Sequence, residues 1–440
     1  MNYALKYLSF VLLQLLQIKT IASFSATRIA SGAVIRSTST VRTTRTRSLQ
    51  ILSMTSKPST SQKDIIIAGG GIIGTSTAYY LAQNHAQCIS SITIIDPSGT
   101  IAPAASGKAG GFLALDWNDH SPVGPLARRS FELHSVLSKQ LGESKIMYRR
   151  LTCASISIRE DSSGGPKKPS GKKLQGVEWA SDVNLAENEN TKVVGGRSLG
   201  DESTIAQVHP KMLCDAMWEA VKSNTNVNAK IIKGKVKNAV HGKDGIFQGA
   251  KLDDGSIVEG DSLLFACGPW TEIGNCMVGV KYHSVIIPTK NTLTQSVFYD
   301  GFGDPEIYPR PDGTAYCCGF PDPPTRVREE PGKEEVRQEK VNEIVEAVRA
   351  ASGGIEGVLG SDPKLAQSCY LPTTPDNIPM MGSIDGQDGC FVAAGHGCWG
   401  ILMGPASGEA MASVLSTGES TNYVDLKAFR PGRFSNTKMW

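Results

Sequence analysis

The order of apolar and polar positions predicts a chain that begins as strand, turn and helix and later changes to strands alone. Asp64 to Ala68 is an apolar β-type run, and the segment that follows the next glycines through Ala82, rich in Ala, Ile and Leu, predicts a helix. A second apolar run, SSITIID, ends at Asp96. Further on, AKIIKGKVKNAV predicts a strand, and GAKLDDGSIVEGDSLLFACGPW predicts a hairpin around an Asp-Gly turn, then a buried strand running into glycine. HSVIIPTKNTLTQSVF and IYPRPDGTAYCCGF read as antiparallel strands of another sheet. GKEEVRQEKVNEIVEAVRA predicts a helix whose Val and Ile spacing makes one apolar face, its charges forming a solvated surface. Near the C-terminus, GCFVAAGHGCWGILMGPASGEAMASVL reads as strand, glycine-rich turn and a helix with small residues on one side.

The first turn carries the earliest chemical signal. Gly69, Gly71 and Gly74 fit GxGxxG between a predicted strand and a predicted helix, with Ile72 and Ile73 opening the helix. Such a turn lets the backbone approach a pyrophosphate, which then sits on free N–H groups at a helix N-terminus. Asp96 lies 22 residues after Gly74, where an acid accepts hydrogen bonds from a ribose hydroxyl. Glycine clusters alone are common in loops; strand, glycines, helix, strand and acid together predict a dinucleotide site. An NAD(P)-dependent dehydrogenase shares these features but has no use for the C-terminal GHGCWG block.

Charge divides the chain. No Asp or Glu precedes Asp64, whereas nine Lys and Arg do; taking those nine from 45 leaves 36 basic against 42 acidic residues in the remainder. The basic balance therefore belongs to residues 1–63, and it implies no nucleic-acid partner. Within that segment YLSFVLLQLLQI has signal-peptide length and is too short to span a membrane with ease, and an Arg-, Ser- and Thr-rich, acid-free stretch follows it. The combination, with Phe24 just after Ala22 and Ser23, resembles the bipartite presequences of algae with secondary plastids. Plastid import is the first expectation; a mitochondrial presequence, or a cytoplasmic form started at Met54, are the alternatives. No stable membrane insertion of the mature chain is expected. The ten cysteines show no zinc or CxxC spacing, so neither a metal site nor a disulfide framework is expected. EDSSGGPKKPSGKK at 160–173 reads as an exposed loop.

The two glycine-rich blocks, in this order and over roughly residues 64 to 425, resemble the D-amino-acid oxidase superfamily of FAD-dependent oxidoreductases, which includes glycine oxidase and sarcosine oxidase, and within it a branch of FAD oxidoreductases known in fungi. The resemblance implies an α/β fold: a discontinuous Rossmann-type FAD-binding domain (64–115, 200–275 and 365–425), an inserted antiparallel β-sheet substrate domain (116–199 and 276–364) and a tail at 426–440. It implies that Gly69, Gly71, Gly74 and Asp96 bind the ADP half of FAD. Ser106, Gly107, Ala109, Gly110 and Gly111 of ASGKAGGFL would line the diphosphate and the flavin, and the backbone of Val236 would meet the adenine. Gly268 and Trp270 would lie beside the cofactor, and Gly395, His396, Gly397, Trp399, Gly400 and Ile401 would cover the flavin's pyrimidine edge. The implied reaction is hydride transfer from a C–N bond to flavin N5, leaving an imine that hydrolyses. A small amine or amino acid is the implied partner, with oxygen or another carrier as electron acceptor. A non-catalytic flavoprotein acting as an assembly or trafficking factor is the other reading.

Departures from the family pattern are informative. Cys369 lies seven residues before Asp376, the place of the cysteine that bonds covalently to flavin in monomeric sarcosine oxidase; the other reading is a small buried hydrophobe. Leu371 stands where glycine oxidase has a carboxylate-binding arginine. Cys317 and Trp399 stand where sarcosine oxidase has its oxygen-activating and carboxylate-binding lysines. Arg310, before a Pro-Asp-Gly turn, could grip a carboxylate bidentately or simply be solvated. His396 could hydrogen-bond flavin or substrate, and Tyr370 and Trp399 could wall the substrate or pack in the core. Nothing distinguishes Lys290 or Tyr308 as site or surface, and His209 before Pro210 reads as a helix-start residue.

Overall fold

A computed structural model describes residues 62–160, 191–301, 303–352 and 358–435. All but the last two residues of the expected presequence, and nearly all of the stretch 160–173, lie outside the described residues.

Six strands make the first sheet, in the order Met380–Ser383, Cys390–Ala394, Ser262–Phe265, Lys63–Ala68, Ile89–Asp96, Asn228–Lys233. Neighbours are parallel except Met380–Ser383, which returns antiparallel to Cys390–Ala394. The first strand in the chain is central, its successor lies on one side and Ser262–Phe265 on the other, so the winding reverses beside it. A sheet wound this way opens a crevice at the C-terminal ends of its strands. Fully buried isoleucines at 65, 66, 67, 92, 94 and 95 explain the unbroken apolar runs: both faces of this sheet are covered.

The helices Ile72–Asn84 and Gly400–Thr417 pack closely, and small residues make that possible. A Cβ on Gly404 would come within 2.4 Å of Ile72 Cγ1, and one on Gly408 within 2.4 Å of Ser76 Cβ. Pro405 interrupts the second of these helices, because it cannot donate to the carbonyl of Ile401. The helix Gly124–Leu141 repairs the break: His134 Nε2 donates to Ile401 O at 2.9 Å, and Ser130 Oγ accepts the N–H of Ala406 at 3.0 Å. That helix shares the core of the nucleotide-type sheet, so the expected boundary after residue 115 does not coincide with a change of packing.

The second sheet has seven strands, in the order Leu365–Thr373, Val278–Pro288, Thr314–Gly319, Glu306–Pro309, Gln295–Asp300, Thr152–Glu160, Thr191–Gly200. It is antiparallel apart from the pair Gln295–Asp300 and Thr152–Glu160. Leu365–Thr373 thus pairs with the substrate-side sheet, whereas the sequence grouped it with the FAD-binding part. Alternation fixes what each face does. Val285, Ile287, Ile307, Ala315 and Cys317 pack under the helix Gln338–Ser352. Tyr308, Tyr316, Cys318 and Phe298 take the opposite face and meet Phe112, Trp117 and Trp399.

Two local expectations shift. The predicted strand AKIIKGKVKNAV breaks at Gly234 into Asn228–Lys233 and Val236–His241, which belong to different sheets. The charged helix begins only at Gln338, because the residues before it have other partners. Glu334 accepts from Gly332 N and Lys108 Nζ, and Arg337 N donates to His283 Nε2 at 3.2 Å.

Candidate functional site

A cavity of about 990 Å³ occupies the crevice at the strand ends. At one end its wall is the first glycine turn, with Gly69, Gly71, Ile72, Ile73 and Asp96. Ser106, Ala109, Val236, Gly268 and Trp270 continue it, and Gly395, His396, Gly397, Gly400 and Ile401 close the other end. Segments far apart in sequence thus converge on one space.

The turn works because side chains are missing from it. Gly69 has φ +106°, and a Cβ there would lie 2.3 Å from the carbonyl oxygen of Ala266. Asp96 is buried at 4% exposure and accepts from the N–H of Gly70 at 3.0 Å and of Ser98 at 2.9 Å, which aims its carboxylate into the turn. Ser106 Oγ accepts the first free N–H of the following helix, from Ile72, at 2.9 Å. Gly74, Gly107, Gly110 and Gly111 are not among the lining residues. Their missing Cβ atoms would collide with Gly69 O, Ala102 O, Tyr308 and Val208 O respectively, so these glycines shape the frame around the cavity.

His396 lies on the wall at the far end and is 5% exposed. Its Nε2 is 3.0 Å from Ser407 Oγ, on the helix that starts at Gly400, and burial pushes its pKa down to about 3. It is therefore a neutral imidazole at physiological pH. A backbone bridge between His396 and Thr373 joins this turn to the second sheet.

Other expected site residues lie off the lining. Arg310 is 7% exposed, with its guanidinium 5.7 Å from the centre of the Tyr316 ring and 3.4 Å from the carbonyl oxygen of Ala109. It braces the segment that carries Ala109 rather than standing at a solvated turn, and burial lowers its pKa. Tyr370 packs beside Lys281, whose ammonium is 5.2 Å from the ring centre and 3.0 Å from Glu329. Trp399 joins the aromatic cluster, edge-on to Trp117 at 6.0 Å. Cys369, opposite Tyr282 in the ladder, is 4% exposed and does not line the cavity; burial, then the charge of Glu334, pushes its thiol up to about 12. Cys317 faces the core under the helix Gln338–Ser352, away from the cavity. His209 caps the helix Pro210–Lys222, as its position before proline suggests.

Sequence reading missed three features. Glu329 reaches the cavity from an irregular segment with no pattern of its own, and Trp270 Nε1 donates to its carbonyl at 2.7 Å. Cys398 also lines the cavity. Glu306 sits on the strand face toward Phe112 and Trp117, hydrogen-bonded to the hydroxyl of Tyr308. A signal for Glu306 was there: polar residues at 306, 308 and 310, alternating with apolar ones, interrupt an otherwise apolar strand.

Similarity to known proteins bears on this geometry. The family described as FAD dependent oxidoreductase (DAO) matches residues 64–414. A Schizosaccharomyces pombe protein described only as an oxidoreductase is 31% identical over 392 residues, covering 82% of this chain and 96% of its own. Glycine oxidase of Bacillus licheniformis is 24% identical over 387 residues, 84% of this chain and 97% of that protein. Among solved structures, glycine oxidase from Geobacillus kaustophilus superposes with a TM-score of 0.67 at 20% identity, over 84% of this chain and 99% of that one.

Proposed function

Since the chain belongs to the DAO family of FAD-dependent oxidoreductases, we propose that it oxidises the C–N bond of a small amine or amino acid. The observation that carries this reading is the continuous cavity from the Gly69 turn to the Gly395–Ile401 turn, beside a sheet face of aromatic side chains. Its volume of about 990 Å³ stands at the upper end of the roughly 300 to 1,000 Å³ typical of cofactor and ligand sites.

The residues present fit FAD. A backbone turn held against Ala266 so closely that Gly69 has no room for a Cβ, beside the buried Asp96 carboxylate, suits the diphosphate and ribose of the ADP half. When bound, FAD supplies a ring that accepts hydride from the carbon next to nitrogen. The protein's part is to bind, orient and exclude water. Asp96 would hold a ribose hydroxyl, and the start of the helix Ile72–Asn84, past the Ile72 N–H that Ser106 holds, would present N–H groups to phosphate. His396, neutral and fixed by Ser407, would hold its hydrogen bonds without adding charge. His134, by satisfying the carbonyl freed at Pro405, keeps the Gly395–Ile401 turn in place. The aromatic sheet face beside the cavity would help to keep water from the reacting carbon.

The test is product analysis. The purified full chain is incubated with glycine, sarcosine, L-proline and simple primary amines, and released carbonyl product and ammonia or amine are measured. Peroxide formation tells oxygen from another acceptor. Carbonyl product from an amine supports the reading; flavin-bound protein that yields none from the whole set refutes it.

Residues 1–63 lie ahead of the family match and carry all the excess positive charge; that supports import into a plastid. A fluorescent fusion to this segment that stays in the cytosol would refute it.

A further inference from the structure

The seven-stranded sheet carries a carboxylate that the proposed reaction has not used. Glu306 shares its face with Phe298, Cys318 and Tyr308, fixed by register: Phe298 and Cys318 are its partners on either side, and Tyr308 is two residues along. Its Oε2 accepts from the hydroxyl of Tyr308 and lies 3.6 Å from the thiol of Cys318. Among the described residues no lysine or arginine is bonded to it. Glu306 and Tyr282 are half-buried and Cys398 is exposed, so all three keep accessible surface. They also lie near one another: after burial, the charge of Glu306 is the next cause raising both the Tyr282 phenol and the Cys398 thiol. Cys398 is on the cavity wall, which places Glu306 and Tyr282 near the cavity. Nearby stand rings in contact, Tyr308 with Phe298 at 5.6 Å and Trp117 with Trp399 at 6.0 Å.

A buried carboxylate with no cation beside it is costly, and burial accordingly raises the pKa of Glu306. Such an arrangement persists where a ligand brings the missing charge. Aromatic faces add attraction for a cation and exclude water. We propose that Glu306 anchors the positively charged nitrogen of the substrate, a protonated primary or secondary amine, in the recess formed with Tyr282, Phe298 and Tyr308 beside Cys398. This rests on the reading of the chain as an amine or amino-acid oxidoreductase, and it adds the residue that selects for the amine.

The experiment uses the full-length flavin-bound protein with Glu306→Gln and Glu306→Asp. Glycine, sarcosine, L-proline and benzylamine are mixed with wild type without oxygen, and flavin absorbance shows which of them reduce it. Each amine that does is paired with its oxygen counterpart (glycolate, methoxyacetate, tetrahydrofuran-2-carboxylate or benzyl alcohol), and dissociation constants come from the shift in flavin absorbance. The expected result is that Glu306→Gln weakens the amine about 10- to 100-fold, leaves the oxygen counterpart unchanged, and that Glu306→Asp recovers part of the loss. Equal weakening of amine and oxygen counterpart, or no weakening, overturns the inference while the proposed function stands. If no amine reduces wild type, the proposed function falls and this inference with it. If Glu306→Gln does not retain flavin, the same comparison is decided with Glu306→Asp.

Discussion

Replacing Gly69 by alanine puts one carbon where the backbone of another strand end already lies. Gly69 has φ +106°, a conformation that costs an L-residue roughly 1 to 2 kcal/mol. The new Cβ would also sit 2.3 Å from Ala266 O, a backbone atom that cannot swing aside. Ala266 N donates to Ala68 O at 2.8 Å, so relieving the clash pulls on the ladder that joins the two central strands. Losing that bond costs about 1 kcal/mol more. The sum, about 2 to 3 kcal/mol, corresponds to roughly a 30- to 150-fold loss if it falls on FAD binding. Gly255→Ala is the control: φ is +89° but nothing lies within 4 Å, so only the conformational part applies. The assay is the flavin-to-protein ratio after gel filtration, with thermal melts recorded with and without added FAD. Gly69→Ala should lose flavin and melt lower, and Gly255→Ala should keep its flavin. Full flavin retention by Gly69→Ala, or equal losses in the two variants, would refute the close-approach argument.

Three further outcomes are expected. After acid precipitation the flavin should be in the supernatant, because a Cys369 thiol pushed up to about 12 leaves roughly one molecule in 10⁵ ionised at pH 7; yellow in the pellet, lost in Cys369→Ala, would contradict this. Asp96→Ala should lose flavin and melt lower, since it strands the N–H groups of Gly70 and Ser98, whereas Asp96→Asn keeps an acceptor and should lose less; equal losses in the two would count against it. Burial holds the pKa of His134 at about 4, below its ordinary 6.5, so the unfolded chain takes up a proton before the folded one does. The stability due to His134 is present above pH 6.5 and is lost as pH falls toward 4, by about 3 kcal/mol. His134→Gln should flatten the dependence of melting temperature on pH in that window, and an unchanged slope would refute the argument.

What was legible in the sequence was local. The Gly69 turn, the acid at 96, the Asp-Gly hairpin and the strand-turn-helix at 390–417 depend on neighbours a few residues apart, and the structure forms each as read. What was not legible depends on pairing between distant segments. Arg310 looks like a solvated turn residue until the register of Glu306–Pro309 with Thr314–Gly319 places it against Tyr316 and Ala109. Cys369 matches a motif by spacing, but its pairing with Tyr282 sets it off the cavity wall. Pro405 should stop a helix, and only the packing of Gly124–Leu141 lets Gly400–Thr417 continue through it. Glu306 gains meaning from strands that begin at residues 278, 295, 306 and 314 and are aligned by hydrogen bonds between segments.

The most direct test of the account is to mix the flavin-bound full chain, without oxygen, with a set of small amines and amino acids and to follow the visible absorbance of the flavin. The account predicts that at least one of them bleaches it, and that NADH or NADPH does so no faster. Flavin that stays oxidised with every amine and amino acid in the set would contradict it.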